Sequence, residues 1–291
     1  MADPRHSPLA AGRLEHALRD GGFPVVTEIN PVKPENLRYF FQRAELLTQF
    51  ARAVTVNSLA GRDDQVGALD AAAALVARGV EAVPVITCRH ADLDGLEARL
   101  AAAWTGGVRA VCCVRGDAPP GTDRRAAFGS SVLELIRRAA ALEFPDGGRL
   151  FVGAGADVTK PREEALRLSL RKVEAGARFL MSQPAEPTEP HLDFVRALKD
   201  RAPDVRILWG LMYVGSVDEL AAIEGRLGIR MPERTWRRLE GAADPAEEGL
   251  RILAEDTARL REAPEVDGVD VLFFRRHREM LGRITEVMNG G

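Results

Sequence analysis

Val111-Cys112-Cys113-Val114-Arg115-Gly116-Asp117-Ala118-Pro119-Pro120-Gly121 is the stretch that decides the fold. An apolar, β-branched and thiol-rich segment stops at a charged Arg-Gly-Asp step and then at a Pro-Pro-Gly turn. Such a segment reads as a parallel strand buried on both faces, with charged groups on a tight loop at its C-terminal end. The same event recurs upstream, where Pro24-Val25-Val26-Thr27-Glu28 brings a strand to a carboxylate. It recurs downstream, where Phe179-Leu180-Met181-Ser182-Gln183 brings one to an amide. Three polar groups at three strand ends converge if the strands share one closed sheet.

Outward from these three segments, strands and helices alternate along the whole chain. Strands are predicted over 25–30, 53–57, 82–87, 110–114, 150–154, 179–183, 207–212 and 269–274. Helices are predicted over 34–50, 64–78, 92–104, 130–141, 161–175, 189–199, 216–226 and 277–288, with two more over 232–239 and 246–260. Regular βα alternation predicts a parallel sheet covered by helices. Eight units in 291 residues predict an α/β fold of the (β/α)8 TIM-barrel type in a single domain. Residues 1–22 read as an N-terminal extension with a helix, and residues 23–291 as the barrel catalytic domain. The punctuation agrees: Asp92, Thr188 and Ser216 stand where N-caps belong, Pro34 and Pro161 suit first turns, and Gly79, Gly107 and Gly176 suit helix ends. Gly153-Ala154-Gly155 lacks the third glycine of a dinucleotide-binding fingerprint, so an open Rossmann sheet falls behind the barrel.

Composition narrows the function classes. The net charge is −3 and the basic residues are scattered among acidic ones, so no bulk field favours nucleic acid. No apolar run reaches the roughly 18 residues of a membrane span, and the first residues lack a signal-peptide core. The chain therefore reads as cytoplasmic, which also sets aside an adhesion role for Arg115-Gly116-Asp117. The cysteines are Cys88, Cys112 and Cys113, an odd number without CxxC spacing; free buried thiols are expected, and no metal site. Barrels commonly associate through outer helices, so a homo-oligomer is compatible with the sequence, although no patch marks its interface.

Barrel chemistry sits at the C-terminal ends of the strands. The candidates there are Glu28, Asn57, Thr87 with Cys88, Arg115 with Asp117, Asp157 with Lys160, Gln183, Tyr213, and Arg275 with His277. A carboxylate at such a place acts as a general acid if burial lifts its pKa, and it serves equally as a helix cap. An amide such as Gln183 both donates and accepts, which suits the edge of a pterin or of a nicotinamide carboxamide.

Several of these segments resemble methylenetetrahydrofolate reductases. Thr27-Glu28-Ile29-Asn30-Pro31 resembles that family's first-strand Glu segment, and Pro84-Val85-Ile86-Thr87-Cys88 resembles its third-strand His-Leu-Thr-Cys. Val114-Arg115-Gly116-Asp117 resembles its fourth-strand Arg-Gly-Asp. Lys172-Val173-Glu174-Ala175-Gly176-Ala177, followed by Ser182-Gln183, is similar to its Lys-Val-x-Ala-Gly-Ala…Thr-Gln stretch. Gly210-Leu211-Met212 and Ile229-Arg230-Met231-Pro232 match later landmarks, and the likeness runs in order over 24–288. The resemblance implies a flavoprotein oxidoreductase of one-carbon metabolism, feeding methionine biosynthesis. It would reduce 5,10-methylenetetrahydrofolate to 5-methyltetrahydrofolate, with NADH or NADPH as electron donor and FAD as bound flavin. By position, Glu28 would be the general acid that opens the methylene bridge to an iminium. Asp117 would sit near the flavin pyrimidine and the pterin, and Gln183 would contact the pterin and the nicotinamide in turn. Lys172, Thr87 and the backbone of Arg115, Gly116 and Asp117 would hold the cofactor, joined by Asn57, Phe128, Gly129 and Lys160. Tyr213 and Glu219 would lie on the folate side.

The departures from the family cluster on the flavin ribose, the flavin phosphates and the folate tail. The third-strand His is Val85, and the Tyr-Pro-Glu…His segment after strand 5 reads Ala156-Asp157-Val158-Thr159-Lys160-Pro161. A Tyr-Ala pair appears as Phe128-Gly129, a ribose-binding Asp as Ala165, and folate-side Gln and Phe as Glu219 and Ile223. The last strand reads Leu272-Phe273-Phe274-Arg275-Arg276-His277. Three cofactor arrangements fit: FAD held through Lys160, Lys172 and Arg124 or Arg125, FMN, or no flavin with direct hydride transfer from NAD(P)H. Two other function classes stay open: a pterin-binding barrel that moves a methyl group to a corrinoid or thiol, and a non-catalytic subunit that docks a partner.

Overall fold

Each apolar run pairs in parallel with the next, and the eighth strand returns to the first. The computed structural model describes residues 12–58, 64–88, 93–116, 130–227, 230–272 and 277–289. The strands are β1 (Val25–Ile29), β2 (Ala53–Val56), β3 (Ala82–Thr87), β4 (Ala110–Val114), β5 (Phe151–Ala156), β6 (Phe179–Ser182), β7 (Arg206–Met212) and β8 (Gly268–Leu272). They close in sequence order as one barrel. The helices are α1 (Arg13–Arg19), α2 (Leu37–Leu47), α3 (Ala68–Val76), α4 (Leu93–Thr105), α5 (Val132–Ala141), α6 (Arg162–Glu174), α7 (Glu189–Arg201), α8 (Val217–Leu227), α9 (Glu233–Gly241), α10 (Pro245–Glu262) and α11 (His277–Met288). The (β/α)8 architecture read from the sequence is the one observed. No helix among the described residues is long and apolar enough to cross a membrane.

Alternation along each strand divides the core in two. Val26, Ala53, Val83, Ala110, Cys112, Phe151, Phe179, Met181 and Leu208 fill the barrel interior, and Leu14 and Leu18 of α1 pack into the same cluster from below. The alternate residues, such as Val54, Val111, Val152 and Trp209, pack against the helical ring. Inside, the Phe151 and Phe179 rings stack with centroids 4.9 Å apart. Gly153 makes room for that pair, since a Cβ there would lie 2.1 Å from the Phe179 ring. Beneath the barrel, Asp267 accepts hydrogen bonds from Lys199 Nζ (2.6 Å), Arg206 Nη1 (3.1 Å) and the Ile207 amide (2.7 Å), which ties β7 to the start of β8.

The boundaries differ from expectation where local bonding decides them. β5 runs two residues further than predicted, and β6 stops at Ser182, which leaves Gln183 on the loop. A 3-10 turn over Pro34–Asn36 precedes α2. Residues 64–67 do not join α3: Lys33 pairs with Asp64 at 2.8 Å and the Val66 amide bonds to Val32 O, which holds them as a loop. Ser216 caps α8 through the Glu219 amide at 3.1 Å. Thr188 stands at an N-cap position without a side-chain bond, and Pro161 precedes the first turn of α6 instead of sitting in it. Asp92 lies outside the described residues. The two extra helices, α9 and α10, share with α8 a small apolar cluster of Met212, Val214, Leu220, Ile223, Leu239 and Ile252.

Candidate active site

The mouth of the barrel is built from residues at or just past the strand ends. Glu28 is the penultimate residue of β1 and faces inward, in phase with Val26. Its register partner on β2 is Thr55, whose buried hydroxyl oxygen has no hydrogen-bond partner among the described residues. Asn57, one residue past the end of β2, donates from Nδ2 to Glu28 Oε2 at 2.9 Å and to Asn30 Oδ1 at 3.0 Å. Glu28 keeps some surface open to the mouth, yet its carboxyl is enclosed by protein. Burial pushes its pKa above the ordinary glutamate value, while hydrogen bonds from Asn57 and Asp270 pull the other way.

Asp270 is the residue that reading from strand ends misses. It lies in the middle of β8, beside Val26 on one neighbour and Gly210 on the other. It is 2% exposed. Burial and the charge of Glu28 hold its pKa well above the usual aspartate range. A lone Asp in the inward phase of Gly268-Val269-Asp270-Val271-Leu272 was the available signal, because a charge buried there needs a partner. Cys112, on β4, faces the same interior; burial first, then Asp270 and Glu28, push its thiol up to about 12. Cys88, Cys112 and Cys113 are all buried free thiols.

A second group lines the β3–β5 side. Thr87 ends β3 and packs against Gly116, where a Cβ would lie 3.0 Å from Thr87 Cβ and Cγ2. Gly116 has φ +78°, a conformation that favours glycine. Arg115, beside it, is exposed. Gly155 is more open: among the described residues an added Cβ would meet only Val114 Cγ1, at 3.6 Å. Lys172 reaches from α6 to donate to Gly155 O at 2.6 Å, and burial lowers its pKa. Lys160 pairs with Glu164 at 2.9 Å at the start of α6. Asp157 Oδ1 accepts from the Thr159 amide (3.1 Å) and hydroxyl (2.7 Å), a local turn.

The remaining candidates divide. Gln183 follows β6 with an exposed side chain, while its backbone N–H donates to Ala156 O at 3.0 Å. Tyr213 does not face the mouth: it is 1% exposed and its hydroxyl donates to Ala246 O of α10 at 3.2 Å. One step past inward-facing Met212, it takes the opposite face. Glu219 Oε2 accepts from the Gly215 amide at 2.8 Å, so with Ser216 it closes the N-terminus of α8. Ile223 is buried among the apolar residues under α8–α10. His277 opens α11. Asp117, Arg124, Arg125, Phe128, Gly129 and Arg275 lie outside the described residues. The structure thus joins Glu28, Asn57 and Asp270 by hydrogen bonds, and Thr87 to Gly116 by contact.

The sequence profile of the family described as methylenetetrahydrofolate reductase matches residues 13–263. The 5,10-methylenetetrahydrofolate reductase of Escherichia coli is 27% identical over 169 residues, covering 58% of this chain and 56% of that protein. That of Pectobacterium carotovorum is 21% identical over 204 residues, covering 70% of this chain and 67% of that one. The chain thus aligns with little more than half the length of the Escherichia coli relative. Among solved structures, an uncharacterized protein from Clostridium thermocellum that binds two copies of 5-methyl-5,6,7,8-tetrahydrofolic acid superimposes with a TM-score of 0.69 at 14% identity, covering 95% of this chain and 98% of that one. Tryptophan synthase from M. tuberculosis superimposes with a TM-score of 0.55 at 15% identity, covering 97% and 100% of the two chains. At these identities the structural matches speak to the barrel fold.

Proposed function

The chain belongs to the methylenetetrahydrofolate reductase family, and on that premise we propose that it reduces 5,10-methylenetetrahydrofolate to 5-methyltetrahydrofolate with NAD(P)H as electron source. The observation that carries this reading is Glu28, an acid held on a rigid strand and bonded to Asn57 at 2.9 Å. Opening the five-membered bridge of the substrate to an iminium requires a proton on the departing nitrogen. A carboxyl whose proton is retained toward neutral pH supplies it. Burial raises Glu28 in that direction. Gln183, exposed at the end of β6, has the donor and acceptor that a pterin edge calls for.

The residues present fit a flavin at its ring end. Among the described residues, Gly116 and Gly155 add no side chain of their own over β3–β5, and Thr87 stands beside them, where a flat ring would lie. Thr87 with the backbone of Arg115 and Gly116 would hold the ring, and Lys160, on the rim, would meet a phosphate; by resemblance Asp117 belongs to the same set. When bound, the flavin supplies the hydride relay between nicotinamide and folate, and the protein supplies orientation and the proton. One observation favours a second reading, hydride transfer without flavin. Lys172, which would meet the cofactor in the family pattern, is partly buried, donates one hydrogen to Gly155 O at 2.6 Å, and has its charge disfavoured by burial.

A visible spectrum of the freshly purified protein, with chromatographic identification of anything released on denaturation, separates the two. Bound FAD or FMN that is bleached by NADH or NADPH supports the flavin route. A colourless protein that takes up no added flavin, yet forms 5-methyltetrahydrofolate, supports the direct route. A protein that does neither contradicts the proposed reaction.

A further inference from the structure

Asp270 lies one layer below the mouth, where β8 passes between β1 and β7. Among the described residues, its surroundings hold no counter-charge. β1 presents Val26 and Glu28, and β7 presents Gly210. β2 presents Thr55 and Asn57, neither of which ionises. β3 presents Val83 and Val85, and β6 presents Phe179 and Met181. β4 presents Cys112, which stays a neutral thiol at physiological pH. β5 is bare at Gly153 and Gly155; over it Lys172 is anchored on Gly155 O, with Asp157 acting on it. Leu14 and Leu18 of α1 seal the floor. Among the described residues no donor reaches Asp270 Oδ1. An ionised carboxylate in such a place loses its hydration without a cation or an amide to replace it, so the neutral acid is the favoured form.

We propose that Asp270 is a positioning residue that remains a neutral carboxylic acid and donates its hydroxyl to Glu28, sharing with Asn57 the task of holding the Glu28 carboxylate. This rests on the reading of Glu28 as the acid of the proposed reaction. In the proton step the Glu28 O–H bond breaks, its electron pair stays on Glu28, and a substrate nitrogen takes the proton. Asp270 keeps its own proton throughout, and its hydroxyl strengthens its bond to Glu28 as the charge appears. Burial supports this assignment, because it pushes both carboxyls up, and Asp270 is the one that lies below the mouth at 2% exposure.

The test is a carbon-13 carboxyl NMR titration of the protein as purified, compared with Asp270→Asn and Asp270→Leu. The resonance lost in Asp270→Asn is expected to hold its protonated position from about pH 5 to about pH 8. An amide there is also neutral and also donates, so the Glu28 midpoint in Asp270→Asn is expected to stay within about 0.3 unit of wild type. Leucine removes the donor, and the Glu28 midpoint is expected to rise by about one unit. An Asp270 resonance that titrates below neutrality, or a Glu28 midpoint that falls by about one unit in Asp270→Asn, overturns the proposal, because either means that Asp270 is charged. The asparagine result decides even if the leucine protein does not fold. No folate or nicotinamide is needed, so a protein that titrates as stated but makes no 5-methyltetrahydrofolate refutes the functional reading alone. In an active protein, the alkaline limb of kcat is expected to follow the Glu28 midpoint across the variants.

Discussion

Two opposed influences act on the carboxyl of Glu28. Burial raises its pKa, and the donors Asn57 and Asp270 lower it. Replacing Asn57 by leucine removes one donor to the charged form, so the Glu28 midpoint is expected to move up, by about one unit in the same NMR titration. The pair also makes stability depend on pH with a definite sign. Both carboxyls have folded pKa values raised above their unfolded ones. Their contribution is fully present below the unfolded values and is lost as pH rises through the folded ones. Asp270→Asn removes one of the two, so its stability relative to wild type is expected to improve from about pH 4 to about pH 8 in urea unfolding. The positions of Glu28, Asn57, Thr87 and Gln183 at or beside strand ends were legible in the sequence, because an apolar run that stops at a polar residue advertises its end. Asp270 was not, since it lies mid-strand, and only its phase relative to the barrel axis gives it meaning. Tyr213 was misplaced for the complementary reason: it follows a strand end, but the face it takes depends on a register that the sequence leaves unstated.

At the scale of elements, α1 works as a plug. Leu14 and Leu18 are both 0% exposed beneath the barrel. Truncating Leu18 to alanine is expected to destabilise the protein by about 2–5 kcal/mol in denaturant unfolding while leaving the mouth unaltered. The α9–α10 insertion makes a different use of charge. Asp256 of α10 and Glu186 of the loop after β6 share Arg234 of α9, at 3.6 and 2.9 Å. Burial, then the neighbouring Glu186, raises Asp256 to about 7. Stability from this group is present below its unfolded pKa and lost as pH rises through about 7. Asp256→Asn is therefore expected to raise the melting temperature more at about pH 8 than at about pH 5. Strands were read well because their apolar runs end abruptly. β3 and β4 have the expected bounds, whereas the front of α3 gave way to a loop held by the Lys33–Asp64 pair. That pair joins residues far apart in sequence, and periodicity carries no sign of it.

For the whole molecule, closure of eight strands in order turns separate strand ends into one mouth. Closure was legible from the count of βα units, and the resemblance to the reductases named the family. What the sequence did not carry was the carboxyl pair, because β1 and β8 meet only when the barrel closes. The functional reading stands on Glu28 as the proton donor to a folate whose methylene bridge is opened and reduced. The most direct measurement is formation of 5-methyltetrahydrofolate from 5,10-methylenetetrahydrofolate by wild type and Glu28→Gln, each supplied with FAD and with NADH or NADPH, alongside folate binding to both. Product from wild type is expected, with kcat about 10²–10⁴-fold lower in Glu28→Gln and folate still bound, since glutamine keeps the shape and lacks the proton. Equal turnover by the two proteins, or no product from wild type with any donor, contradicts the reading.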